Sequence, residues 1–145
     1  MKITSQAFQN GDAIPSRFTC EGEDINPPLE ISDVPEGTKS LVLIVDDPDA
    51  PAGTWVHWLV WDIQPSTLII PKGARGIGIE GTHDGRAVGY GGPCPPRGPS
   101  HTYRFKVYAM DRMLELRAGA DKKMLAKEME GHIIDMAEID GEFQR

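Results

Sequence analysis

Two stretches of this chain are apolar on both parities rather than at alternate positions, and they limit its architecture more than any other feature. Residues 40–46 read SLVLIVD and residues 55–63 read WVHWLVWDI. Both are rich in β-branched or aromatic residues, and such runs form central strands that are covered on both faces. A third segment, residues 103–110, alternates instead. Tyr103, Phe105, Val107 and Ala109 share one face, and Arg104, Lys106 and Tyr108 share the other. Shorter strands are expected at 29–32 and 133–139. One helix is predicted over 122–130, capped by Asp121, with Leu125 and Met129 four apart and Gly131 as the stop. Sixteen glycines and twelve prolines fill the connections, above all residues 89–100, GYGGPCPPRGPS. That composition suits a loop-rich β protein. With 145 residues, the chain is expected to form one mainly β domain over residues 1–145.

The formal charge is −7, which argues against a general nucleic-acid binder but leaves room for a local anion pocket. No run of 18 apolar residues occurs, so no membrane span is expected. The N-terminal MKITSQAFQNGDAIP lacks the apolar region of a secretory signal, and the cytoplasm is the expected location. In that compartment Cys20 and Cys94 are expected to be free thiols, unless the source is a hyperthermophile.

Several local patterns can be weighed by their chemistry. GIGIEG at 76–81 matches a dinucleotide-binding glycine pattern, but no helix follows to present its N-terminus to a phosphate. DDPDAPAG at 46–53 is not a calcium loop, because prolines interrupt it and position twelve is His57. Asp49 is accounted for by turn bonding to nearby backbone N–H groups. Asp46 and Asp47, at the end of an apolar strand, need partners, and His57 and His101 are the candidates. With Tyr103 on the same face as His101, these groups could converge as an anion site or as a two-histidine, one-carboxylate metal site. No G-x-S-x-G elbow is present. Cys94, between prolines, is a poor nucleophile candidate with His101 as its partner. Trp55 and Trp61 are expected on one strand face and Trp58 on the other, mostly as core.

DDPDAP at 46–51, WVHWLVWDI at 55–63 and GYGGPCPPRGPSHTY at 89–103 occur together, with FTCEGEDINPPLE at 18–30 and GHIIDMAEIDGEF at 131–143. In this combination the chain resembles the phosphatidylethanolamine-binding protein family, which includes the Raf kinase inhibitor protein, and looks closest to its bacterial and archaeal branch. The resemblance implies an antiparallel β-sandwich with one or two short peripheral helices. It also implies a pocket at one end for a small anion such as phosphate, acetate or a phosphoethanolamine headgroup. Carried over by motif, the ligand-binding residues are Asp47, His57, Pro95, Pro96, His101 and Tyr103, with Asp49, Gly92 and Cys94 on the rim or in its loops. No metal, cofactor or catalysis is implied. The usual His-Arg-Tyr triplet reads His101-Thr102-Tyr103 here, and the chain closes in GEFQR without the C-terminal helix of animal members, so a more open pocket is expected.

The leading expectation is therefore a small-anion binder. Inhibition of a protease or kinase is the alternative, a metal-dependent or Cys/His enzyme is a second one, and a homodimer is a candidate assembly. The proline loop is expected to be ordered, with one X-Pro bond cis. If His57 and His101 both donate to the anion, binding favours imidazolium and weakens above about pH 6.5.

Overall fold

The computed structural model describes residues 1–145. Eight strands form two antiparallel sheets. The smaller sheet contains β1 (Lys2–Thr4), β2 (Leu29–Ser32) and β5 (Ile69–Ile70), in the order β1-β2-β5. The larger contains β3 (Ser40–Asp47), β4 (Trp55–Ile63), β6 (Ile79–Glu80), β7 (His101–Met110) and β8 (Ile133–Phe143), in the order β6-β4-β3-β7-β8. A single α-helix, α1 (Lys122–Met129), and a 3₁₀ turn at Ser16–Phe18 complete the fold. The expected mainly β class is observed. No helix is long and apolar enough to cross a membrane.

All eight residues of β3 are buried, because the large sheet is covered on both faces. Leu41, Leu43 and Val45 point into the main core, where they meet Ile3, Leu29 and Ile31 from the small sheet and Phe105 and Val107 from β7. Val42 and Ile44 point the other way, into a second cluster with Leu59, Trp61 and the helix residues Leu125 and Met129. The helix therefore acts as the cover for the second face. The Asp121 carboxylate accepts from the Met124 N–H at 2.9 Å, and Gly131 takes the positive φ that ends the turn. The last strand runs to Phe143, four residues beyond its expected end, paired along its length with β7.

The pairing of β3 with β4 is not continuous. Val45 faces Trp58, but the next residue, Asp46, faces Val56, so His57 is an inserted residue in a β-bulge. The bulge shifts the alternation of β4. Trp58 packs in the main core and Trp61 in the second cluster. Trp55 is paired with Asp47 and lies at the cavity described below, on the side of Trp58. The expected grouping of Trp55 with Trp61 is therefore wrong, since an even count of residues no longer keeps one face across a bulge.

Two further expectations fail. Cys20 and Cys94 are joined in a disulfide, with Cα atoms 5.4 Å apart, so neither is a free thiol. The fold brings two loops 74 residues apart in sequence into contact, which no spacing rule could show. Every X-Pro bond is trans. The loop is shaped by its anchors instead.

Candidate functional site

Where β3 ends and β4 and β7 begin, the large sheet opens onto a cavity of about 330 Å³. Asp47 closes β3, Trp55 and His57 start β4, and His101 and Tyr103 start β7. The proline loop supplies Gly91, Gly92, Cys94, Pro95 and Pro96 to the wall, and Ala50 and Pro51 come from the loop after β3. Of the residues singled out from the sequence, Asp47, His57, Gly92, Cys94, Pro95, Pro96, His101 and Tyr103 thus come together. Asp49 stands outside the lining. Its carboxylate accepts from the Thr102 N–H at 2.9 Å, and its own N–H donates to Asp47 Oδ1 at 2.8 Å, so it joins the β3 loop to β7. Asp46 points to the opposite face and accepts from Arg104 Nε and Lys106 Nζ, each at 2.7 Å, rather than from a histidine.

Each polar group in the cavity has a defined role. His101 Nδ1 donates to Asp47 Oδ2 at 2.7 Å. His57 Nδ1 lies 2.7 Å from the Gly91 carbonyl oxygen, which can only accept, so that nitrogen carries the proton. Burial lowers the His57 pKa below the ordinary imidazole value, against the pull of the Gly91 carbonyl and the Asp47 and Asp46 carboxylates. The Tyr103 ring meets His57 edge-on at 5.3 Å and stacks with His101 at 6.4 Å. Its hydroxyl is buried out of reach of solvent, makes no close hydrogen bond and has the Asp47 carboxylate as its neighbouring acceptor. Burial, and then the Asp47 charge, hold that phenol well above its usual range, so it remains an O–H donor.

His57 gives the stability of the fold a pH dependence. The folded protein resists protonating this ring, while the unfolded chain accepts a proton near pH 6.5. Its contribution is therefore complete above that pH and is lost as pH falls toward the lower folded value. Urea denaturation from pH 7.5 to 5 should show the decline, and His57→Gln should flatten it. Parallel profiles for the two proteins would refute this assignment.

The proline wall is held from both sides. Besides the disulfide, the Cys20 N–H donates to Pro93 O at 3.1 Å and the Tyr90 hydroxyl donates to Phe18 O at 2.7 Å. The Gly92 N–H donates to Asp24 Oδ1 at 2.8 Å, and a Cβ at Gly92 would lie 2.4 Å from that oxygen, so glycine is required for the approach. On the other side Arg145 Nε donates to Pro95 O at 2.7 Å, and Gln144 Nε2 donates to Gly98 O at 2.8 Å.

His83 was not foreseen. It sits on a tight turn docked against β4 through Asp84, whose carboxylate accepts from the Val56 N–H at 2.7 Å. The Gly85 N–H donates to His83 Nδ1 at 2.9 Å, and the ring lies over Gly91. Nothing in THDGRAVGY marks this histidine as a pocket residue. Trp55 was hidden for a different reason, the bulge that follows it.

Comparison with known proteins places this geometry in context. The family model for phosphatidylethanolamine-binding protein matches residues 4–144. A UPF0098 protein of Pyrococcus horikoshii is 50% identical over 154 aligned residues, covering 100% of this chain and 77% of the relative. One from Aquifex aeolicus is 48% identical, covering 100% of this chain and 89% of its own. Among solved structures, a phosphatidylethanolamine-binding protein homologue from Chlamydia trachomatis superposes with a TM-score of 0.95 at 42% identity, covering 99% and 97% of the two chains. YbcL of Escherichia coli, described as a member of the mammalian family, gives 0.93 at 30% identity, with 99% and 98% covered.

Proposed function

The chain belongs to the phosphatidylethanolamine-binding protein family, and from that premise we propose that its cavity binds a small oxyanion, phosphate or a headgroup-like phosphomonoester, without transforming it. The observation that carries this reading is the convergence of His57, His83, His101 and Tyr103 on one open cavity, with His101 held by Asp47. There an oxyanion would accept from the Nε2–H of His83. The cavity supports binding better than chemistry, because the one thiol in its wall, Cys94, is spent in the disulfide and offers no thiolate. The inhibitor reading draws on no observation of its own.

Thermal unfolding with added phosphate at pH 6, with ionic strength matched by chloride, tests the reading. At ten times Kd the native state gains about 1.4 kcal/mol, a Tm rise of roughly 3 to 6 °C for a domain of this size. His83→Ala should lose much of the rise, since its Nε2–H is a donor in the cavity wall. His101→Ala should lose most of it. If both variants respond to phosphate as the parent does, the anion binds elsewhere.

A further inference from the structure

Resting on the oxyanion reading above, we propose that His57 makes this pocket selective for oxyanions that carry their own proton, hydrogen phosphate or a singly protonated phosphomonoester, against sulfate. The argument starts from the bulge. It turns His57 into the cavity and sets its Nδ1 against the Gly91 carbonyl oxygen at 2.7 Å. A carbonyl cannot donate, so Nδ1–H is fixed and the neutral ring presents a lone pair at Nε2. No protein donor meets that nitrogen. A ligand atom placed there must therefore bring a hydrogen. A P–OH group does so. A bare sulfate oxygen would set lone pair against lone pair.

The surroundings keep His57 from solving the problem by taking up a proton itself. Burial disfavours its charged form. The groups that face it are Asp47 from β3 and Tyr103 and His101 from β7, with Asp46 behind the sheet and His83 on the adjoining turn. Asp47 is committed to His101 and to the Asp49 N–H. His83 carries the opposite tautomer, because the Gly85 N–H donates to its Nδ1 and leaves Nε2–H in the neutral ring. His83 is thus a donor to the unprotonated oxygens, as is His101 when it is protonated against Asp47, Arg145 stands behind the proline wall, and His57 is the acceptor. In this arrangement the neutral His57 ring accepts a hydrogen bond from the ligand, the reverse of the imidazolium donation expected from the sequence.

Calorimetry on the intact, disulfide-bonded protein at pH 8 compares two probes. Inorganic phosphate and sulfate are dianions of similar shape there and differ by one proton. Sulfate should bind at least about tenfold more weakly than phosphate, the scale set by leaving a site's hydrogen-bonding group unmatched. Methyl phosphate loses its last proton near pH 6, so it should match phosphate at pH 5.5 and fall toward sulfate at pH 8. His57→Gln, whose terminal amide can rotate to donate, should bring the sulfate and phosphate affinities together. ¹⁵N shifts of the His57 ring in the unmodified protein give a second readout, and should show a neutral ring with Nδ1–H retained in the phosphate complex. Equal affinity for sulfate and phosphate at pH 8, or an imidazolium at His57 in that complex, would overturn the selectivity while leaving the oxyanion reading standing. Binding of neither anion at any pH would remove the oxyanion reading itself.

Discussion

Asp46→Ala should cost about 3–5 kcal/mol, the range found when one member of a buried ion pair is deleted. Asp46 is 1% exposed and Lys106 8% exposed, and the carboxylate divides its two oxygens between Lys106 Nζ and Arg104 Nε, both at 2.7 Å. Arg104, with nearly a third of its side chain in solvent, can turn toward water when the carboxylate goes. Lys106 cannot do so as readily and would be left beside Ile44 on the helix-covered face of the sheet, with Glu138 opposite it on β8 as its remaining counter-charge. Against a total stability of about 5–15 kcal/mol for a domain, that is a large fraction. Replacing the pair together, Asp46→Leu with Lys106→Met, should recover most of the loss, since apolar groups of similar volume avoid the desolvation of both ions. Urea midpoints of the three proteins decide the matter, and an Asp46→Ala variant within 1 kcal/mol of the parent would refute it.

Removing the disulfide should have an effect of similar size. Cys20 and Cys94 close a loop spanning 74 residues, for which the chain-entropy relation gives about 4.5 kcal/mol, toward the top of the usual range. Cys20→Ser with Cys94→Ser should lower Tm by roughly 10 °C or more. Phosphate affinity should fall with it, because Cys94 is part of the cavity wall. Two reactive thiols in unfolded, unreduced protein, or a double variant that melts with the parent, would contradict this. The bond also bears on where such a chain can work. It requires an oxidising compartment or a cell interior that tolerates disulfides, as those of hyperthermophiles do.

The long strands were legible because burial on two faces leaves a mark in the residues themselves. SLVLIVD and WVHWLVWDI have no polar parity, and the structure places a core on each side of them. The helix announced itself through Asp121 and Gly131. The strands Lys2–Thr4, Ile69–Ile70 and Ile79–Glu80 were not foreseen, since two or three residues hold no period and exist only through their partners. In the site, Asp47, His57, His101 and Tyr103 could be named from motifs that stand at strand ends. What their sequence did not carry was His83, on the turn closed by the Thr82–Val88 bridge, and the bulge, which depends on how β4 meets β3. Asp46 shows the limit of adjacency. Next to Asp47 in sequence, it faces the other layer and finds cations there rather than imidazoles.

The attachment of the proline segment also has a kinetic meaning. Its wall residues are fastened to a loop 74 positions earlier and to Arg145, 50 positions later, so the cavity is made of contacts with high sequence separation. Such contacts form only after the costly closure of long loops, and they slow folding. A nascent chain cannot finish this wall until Arg145 has left the ribosome, by which time β3 and β4 have long been available to pair. The wall of the proposed anion site is therefore completed late in folding, after both of its ends have been secured.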